Sequence, residues 1–302
     1  MGHEIHWGIL VALYLFFAGA GAGAIFVSAY YVLDKKIEKP NYFRLAKYSS
    51  IIGTAVLIFG IAMIVFDLTT FRDGLSSFNM DKLLRFHKLF MVFVPSSIMS
   101  WGTWLLALSV PFAVLFIFSF TSMYNLGKYR KLLARVNMVL AIGICTYTAF
   151  LLGDVMHNII WNNSALVVLF MVSALSSGVA LVVFLKVFFF KKDDFNDAKT
   201  FSKVDASILT FELICVVIFA YTVMIISKSF DITYIFTLNS VVGQIWWIGA
   251  VGIGLLLPLL INIYVLAGNR KLNHVSEYIL ITSLLGGAFC LRYSVLLAGQ
   301  MY

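Results

Sequence analysis

Tyr147 and Asp154 are the two side chains whose types and spacing most directly suggest chemistry. They lie seven residues apart in the segment YTAFLLGDVMHNIIW. On a helix they share one face, with the phenol about 10 Å deeper than the carboxyl group. A phenol can donate a hydrogen bond to a quinone carbonyl, and a carboxyl group near water can exchange protons. Such a pair could bind a quinone below Asp154, although the spacing alone is not specific for one; the alternative for Asp154 is a hydrated carboxylate at the membrane surface.

The beginning of the chain offers a second set of polar aromatic groups. Trp7 and Tyr14 are seven residues apart, so both project from one side of a helix, close to His6 at its start. These three side chains could line the same pocket as Tyr147, with Asp67 at its edge. The alternative is that Trp7 and Tyr14 are interfacial aromatic residues that anchor the helix. Asp67 has the same alternative as Asp154.

Four ionisable residues suggest a path for protons through the apolar part of the chain. Glu212 lies near the middle of an apolar run, on one face with Asp205, and Arg292 lies in the last run. A charged side chain at the centre of a span costs roughly 2.5–3.5 kcal/mol on insertion scales, so each one asks for a role. We expect Glu212, Asp205, Arg292 and His157 to form a proton pathway. The alternatives for Glu212 are a structural hydrogen bond to an adjacent helix or a pair with Arg292. The alternative for His157, as for Asp154, is a hydrated residue at the membrane surface.

The composition assigns these residues to a membrane protein. Of 302 residues, 62% are hydrophobic and 12% are charged, which is about half the charged fraction of a soluble globular domain. The formal charge of +8 comes from Lys and Arg residues clustered between apolar runs. Such clusters set membrane topology, so no nucleic-acid partner is expected.

The positions of cysteine and histidine predict no metal cofactor. Cys145, Cys215 and Cys290 fall inside apolar runs without CxxC spacing, so neither a disulfide framework nor a thiolate metal site is expected. All five histidines lie at the ends of runs or between them. A transmembrane b-type haem needs axial histidines that face each other within the spans, so a haem is not expected.

Eight apolar runs, each long enough to cross a bilayer, predict an all-α polytopic protein with one integral membrane domain over 1–302. The predicted helices are 7–33, 49–66, 98–120, 136–155, 165–190, 206–226, 241–267 and 275–301. The first and fifth runs each have aromatic residues followed by a stretch rich in small residues. A parallel repeat of 1–160 and 161–302 is therefore a further hypothesis. The first run is too long for a signal peptide, and we expect it to be retained.

Lys and Arg residues between the runs predict the orientation in an inner membrane. One set of alternate connections holds sixteen of them and the other holds five, so the first set is predicted to be cytoplasmic and both termini outside. The long outer connection 67–97 contains an amphipathic stretch at 80–93 with Arg85 and Lys88. We expect this stretch, together with Trp101, to dock a partner protein.

Taken together, these motifs resemble the NrfD/PsrC family of membrane subunits. The resemblance covers nearly the whole chain. It rests on HWG with the following YLFFAGAGAG, on Asp67-Leu68, on Arg85 ahead of Ser97-x-Met99-Ser100-Trp101-Gly102, and on Tyr147-Thr148-Ala149-Phe150-Leu151 before Trp161. One position departs from the polysulfide-reductase type, which offers Asn and His one turn apart in helix one, where this chain has Leu10 and Tyr14.

The resemblance implies eight helices in two four-helix bundles, no haem, and an exchangeable menaquinone or ubiquinone bound near the outer surface. It also implies electron transfer between this quinone and a 4Fe-4S ferredoxin-like subunit, which is bound to a molybdopterin catalytic subunit, with proton translocation as a possible addition. The terminal substrate would then be reduced on another chain, and polysulfide, thiosulfate, tetrathionate, arsenate and nitrite all remain open.

Two other function classes stay open from the residues. In a proton-coupled transporter or channel, Asp205, Glu212 and Arg292 would form the pathway, but matching broken helices in the two halves are missing from the sequence pattern. A passive membrane anchor would have no pocket at the outer surface.

Overall fold

The part of the chain that the structure describes contains eight long helices. The computed structural model describes residues 7–70, 93–121, 126–154, 158–190, 198–226, 230–268 and 274–301. The long helices are α1 Ile9–Leu33, α2 Pro40–Thr70, α3 Ile98–Phe118, α4 Arg130–Gly153, α5 Ser164–Phe189, α6 Ala198–Tyr221, α7 Val241–Gly268 and α8 His274–Met301. Helix makes up 89% of the structure, and the described residues contain no strand. The prediction of an all-α protein with eight spanning helices is confirmed.

Three helices begin before the apolar runs predicted for them, α2 at Pro40, α4 at Arg130 and α6 at Ala198, and α7 differs in its interior. Helix α2 begins at Pro40, well before the apolar run 49–66, because its first turns carry polar residues that do not belong to an apolar run. Proline suits the first helical position, where its missing N–H costs no hydrogen bond. Helix α7 contains a π-helical stretch, Ile245–Leu256, just before Pro258, whose ring disturbs the regular hydrogen bonding of the preceding turn.

The helices pack as two four-membered groups. In the first group α1 contacts α2 and α4, and α3 closes the ring by contacting the same two helices. In the second group α5 contacts α6 and α8, and α7 contacts both of these. Helices α1 and α5 join the two groups, with additional contacts from α4 to α5 and from α8 to α1. The internal repeat that the sequence suggests stays a prediction.

Glycines allow the central helices to approach each other backbone to backbone. A Cβ at Gly23 of α1 would lie 3.0 Å from the Cα of Gly178 in α5 and would overlap the carbonyl oxygen of Ala174. On the opposite side of α1, a Cβ at Gly21 would lie 2.6 Å from the backbone nitrogen of Leu57 in α2. Small residues on both sides therefore place α1 at the centre of the molecule, as close packing in membranes requires.

Several contacts gather one end of the molecule, which we call the Trp7 end. The indole of Trp7 stacks on that of Trp161, with ring centroids 5.2 Å apart. Gln300 Nε2 donates to the Trp7 carbonyl oxygen at 2.9 Å, and Asn158 Nδ2 donates to the Gly299 carbonyl oxygen at 2.5 Å. The start of α1, the connection from α4 to α5 and the end of α8 therefore meet at this end.

Candidate functional site

A pair of buried phenol groups lies below the Trp7 end. Tyr14 of α1 and Tyr147 of α4 are hydrogen-bonded to each other through their side chains. Tyr14 is 1% exposed and Tyr147 is 9% exposed. The sequence predicted both residues for one pocket from separate motifs, and the fold brings them into direct contact. We call this pair the tyrosine pair.

Asp154 lies at the mouth above Tyr147. It follows the last residue of α4 and is exposed, and its backbone N–H donates to the Phe150 carbonyl oxygen at 3.0 Å. Its charge interacts electrostatically with Tyr147. The arrangement has an acid in contact with solvent and a phenol below it on the same helix face, as the seven-residue spacing predicted.

Two tryptophans pack together at the Trp7 end, one just before α1 and the other in the connection between α4 and α5. Trp161 is 4% exposed, and its Nε1 donates to the Val295 carbonyl oxygen at 2.9 Å. Its stacking with Trp7 fixes the residue that lies just before Gly8 and the start of α1. The carboxyl group of Asp67 lies beside Gly8, whose added Cβ would be 3.9 Å from Asp67 Oδ1. Trp7 and Asp67 therefore lie at the same end as the tyrosine pair.

The other predicted residues either lie outside the described residues or lie apart from the tyrosine pair. His6, Arg85, Lys88 and His157 lie outside the described residues. Trp101 is 57% exposed; its Nε1 donates to the Pro95 carbonyl oxygen at 3.0 Å, and its ring meets Phe93 edge to face. It is a surface residue at the start of α3, and its role in docking stays a prediction.

A second polar group lies in the interior, where the two helix groups meet. Arg292 of α8 is fully buried, and its Nη1 donates to Ser173 Oγ at 3.1 Å and to the Ala288 carbonyl oxygen at 2.9 Å. The hydroxyl groups of Ser173 and Ser176 donate to the carboxyl group of Glu212 on α6. Ser173 therefore connects the guanidinium to the carboxyl group, and the two charged groups interact across it.

Asp205 has its own partner closer to the opposite end of α6. Asn262 Nδ2 of α7 donates to Asp205 Oδ2 at 2.6 Å, and both residues are buried. Within the described part of the chain, Asp205 Oδ1, Glu212 Oε2, and Nε and Nη2 of Arg292 have no hydrogen-bond partner. Each of these three predicted pathway residues therefore has at least one side-chain atom that could form a further hydrogen bond.

Sequence reasoning missed the serines and the asparagine that hold these charges. Ser173 and Ser176 lie three residues apart in the segment SALSSG of an apolar run, a spacing that puts both on one helix face. That polar stripe was the available signal for a partner of Glu212. Asn262 had no comparable signal, because a lone amide in a span does not indicate which helix it faces. The described residues contain no group of three or more side chains that could hold a metal ion.

Comparison with known proteins gives matches over the full length of the chain. The NrfD homolog of Haemophilus influenzae is 26% identical, with 98% of this chain and 94% of that protein covered. The C subunit of the polysulfide reductase of Wolinella succinogenes is 27% identical with the same coverage, and NrfD of Escherichia coli is 24% identical over 98% and 95% of the two proteins. The family described as "Polysulphide reductase, NrfD" matches residues 1–302. The chain is therefore a multi-pass membrane protein that belongs to the NrfD polysulphide reductase family.

Proposed function

We propose that this chain binds a quinone or quinol at the tyrosine pair and transfers its electrons to or from an iron–sulfur subunit of a molybdopterin oxidoreductase. The observation that carries the proposal is the hydrogen bond between two buried phenols beneath an exposed acid. Family membership supports the coarser part, a membrane anchor in an oxidoreductase complex. The quinone site, the identity of the partners and any coupling to protons are our proposals.

The tyrosine pair fits a quinone carbonyl by its hydrogen-bonding capacity. Each phenol carries one O–H donor, and the bond within the pair uses one of the two. The hydroxyl hydrogen left over is free to donate, and we assign it to Tyr147, the more exposed of the two. A menaquinone or ubiquinone ring would be held between this donor and the aromatic cover of Trp7 and Trp161. When bound, a quinol supplies two electrons and two protons.

Asp154 would exchange those protons with water. Its carboxyl group is exposed and acts electrostatically on Tyr147, so a proton that reaches the phenol has an acceptor on the side of the solvent. Tyr14 is buried, so it would not contact water, and its role would be to orient Tyr147. The residues of this chain thus bind, orient and move protons, while the electrons leave to a cluster held by the partner.

The Trp7 end is the surface that would face the partner. Trp101 and Phe93 are exposed there, and exposed aromatic residues are common at protein interfaces. An iron–sulfur subunit docked at this end would bring its cluster close to the tyrosine pair. We place this end on the outer side of the inner membrane, following the Lys and Arg distribution.

A proton path from the opposite end is the second proposal. Asp205, Glu212 and Arg292 are buried, and each retains polar atoms without partners. Arg292 also borders α1, since a Cβ at Gly19 would lie 2.9 Å from its Nη2, and it interacts with Cys145, two residues before Tyr147. This geometry favours a relay that leads from Glu212 toward the tyrosine pair. The same residues would serve a transporter, but that class does not explain the tyrosine pair.

Substitution of Tyr147 by Phe tests the quinone proposal. Tyr147→Phe keeps the ring and removes the donor, so quinone-linked turnover of the purified complex should fall by about tenfold or more while the complex assembles normally. Tyr293→Phe, in α8 and stacked on Phe289, is the matched control and should retain turnover. Unchanged turnover in Tyr147→Phe would remove this residue from the site, and a passive anchor would become the better account.

A further inference from the structure

The first turn of α3 is fixed by its own hydrogen bonds. Ser97 Oγ accepts from the Ser100 backbone N–H at 3.4 Å, and Ser100 Oγ accepts from the Val94 backbone N–H at 3.1 Å. The indole of Trp101 adds a bond to the Pro95 carbonyl oxygen at 3.0 Å. Capping of this kind satisfies the free N–H groups at the start of a helix. The backbone at Gly102, one residue further on, is therefore held in place.

Tyr147 lies directly against this backbone. A Cβ added at Gly102 would overlap Cζ, Cε2 and Oη of Tyr147, so the outer half of the phenol ring occupies the space of a side chain at position 102. Gly102 is itself buried. The absence of a side chain there is what lets the ring reach its position.

A displaced Tyr147 ring would lose its contact with Tyr14. Gly102 of α3 lies on one side of the Tyr147 ring, and the Tyr147 hydroxyl group is hydrogen-bonded to Tyr14 of α1. Tyr14 is fully buried and cannot follow a displaced partner without moving its helix. A side chain at position 102 would therefore push the phenol away from its hydrogen bond with Tyr14.

We propose that Gly102 is a positioning residue, which holds the Tyr147 phenol where it can donate to the bound quinone. This inference rests on the proposed function of the tyrosine pair. It explains why the Met99-Ser100-Trp101-Gly102 segment ends in a glycine, since the Tyr147 ring of α4 occupies the space of a side chain there. Gly102 does not touch the quinone and acts only through Tyr147, and even a shift of about 1 Å in a donor can disable a site.

The contact itself is tested by thermal stability. Gly102→Ala should lower the melting temperature of the purified complex in the wild-type and Tyr147→Phe backgrounds, since both keep the ring, but not in Tyr147→Leu, which removes it. If Gly102→Ala alone fails to assemble, restored assembly of Gly102→Ala with Tyr147→Leu supports the same contact. An equal loss in all three backgrounds would overturn the proposal.

Gly143→Ala is the matched control. It lies in the same contact between α3 and α4, but its added Cβ would meet only the flexible end of Leu105, at 3.0 Å. Its effect on the melting temperature should not depend on which residue is at position 147.

Turnover tests the positioning role. Gly102→Ala should lower quinone-linked turnover by about tenfold or more in the wild type but add little in Tyr147→Phe, where the donor is already gone. The same factor in both backgrounds would mean that Gly102 acts on the fold at large, and would overturn the inference. If Tyr147→Phe alone retains full turnover while the stability coupling is present, the proposed function is wrong and the contact is only structural.

Discussion

Ser173 joins two ionisable residues that lie far apart in the sequence. It accepts a hydrogen bond from Arg292 and donates one to Glu212. The sequence left open whether Glu212 bonds a neighbouring helix or pairs with Arg292, and the structure contains elements of both, because the charges interact through a shared hydroxyl group. Phe170 contributes to the same site, with its ring centroid 5.5 Å from Arg292 Cζ, within the range of a cation–π contact.

Glu212→Gln separates a relay from a structural contact. The amide keeps the shape and can still accept from Ser173 and Ser176, but it cannot pass a proton. We expect proton translocation to be lost while quinone-linked turnover continues. Translocation would be measured as the pH change that turnover produces in a suspension of vesicles that contain the complex. Glu277→Gln, at the start of α8, is the control and should behave as wild type.

Two other outcomes of Glu212→Gln would contradict the relay. Full retention of translocation would leave Glu212 as a structural polar residue. Failure to fold would favour a structural pair with Arg292, because removal of one partner from a buried pair leaves an uncompensated charge and costs roughly 3–5 kcal/mol.

At the scale of elements, α1 determines where everything else lies. It contacts α2, α4, α5 and α8, and glycines on two of its sides allow this. Gly23 and Gly178 put α1 and α5 in backbone contact, which brings the tyrosine pair and the Arg292 site into the same central region. Helix α7 and helix α8 use the same device, since a Cβ at Gly254 would overlap the Cα of Gly287.

Gly23→Leu should prevent this central contact. The side chain would have to enter the space of Ala174 and Gly178, so we expect a loss of at least about 1–3 kcal/mol in stability, or no assembly. Gly286→Leu is the control, since nothing lies within 4 Å of an added Cβ there. Size-exclusion profiles and melting temperatures in detergent would measure both. Normal assembly of Gly23→Leu would contradict the packing described for α1 and α5.

Local patterns predicted the elements better than their contacts. Apolar runs were sufficient for eight spanning helices, since length and hydropathy are properties of each segment alone. The seven-residue spacing of Tyr147 and Asp154 was sufficient for their shared face. The hydrogen bond between Tyr14 and Tyr147 depends on how α1 packs against α4, and nothing within either segment encodes that distance. The π-helical stretch in α7 was missed because an apolar run does not reveal its hydrogen-bonding pattern.

At the scale of the whole molecule, the two ends differ in character. The Trp7 end holds the tyrosine pair and the stacked indoles of Trp7 and Trp161. At the opposite end, Arg130 donates to the Ser119 carbonyl oxygen from Nη2 at 2.6 Å and from Nε at 3.0 Å. Its guanidinium also lies 4.9 Å from the ring centroid of Phe43 and 5.3 Å from that of Phe120. This arginine fixes the ends of three helices at the side that the Lys and Arg count predicts to be cytoplasmic.

Single cysteines at exposed positions test the orientation. Asn239→Cys lies just before α7 at the Trp7 end, and Lys128→Cys lies just before α4 at the opposite end. A membrane-impermeant maleimide should label Asn239→Cys in cells with a permeabilised outer membrane, and Lys128→Cys only after the inner membrane is opened. The unsubstituted chain, with its three native cysteines, gives the background. The reverse labelling pattern would contradict the predicted orientation in the membrane.

A photoreactive quinone, cross-linked to the purified complex, tests most directly whether the tyrosine pair binds quinone. Mass spectrometry of the labelled protein should locate the label on α1 near Tyr14 and on α4 near Tyr147, and excess unlabelled quinone should suppress it. Tyr147→Phe should weaken the labelling without moving it elsewhere. Saturable labelling confined to α6 and α7, or to the end of the molecule opposite the Trp7 end, would contradict a quinone site at the tyrosine pair.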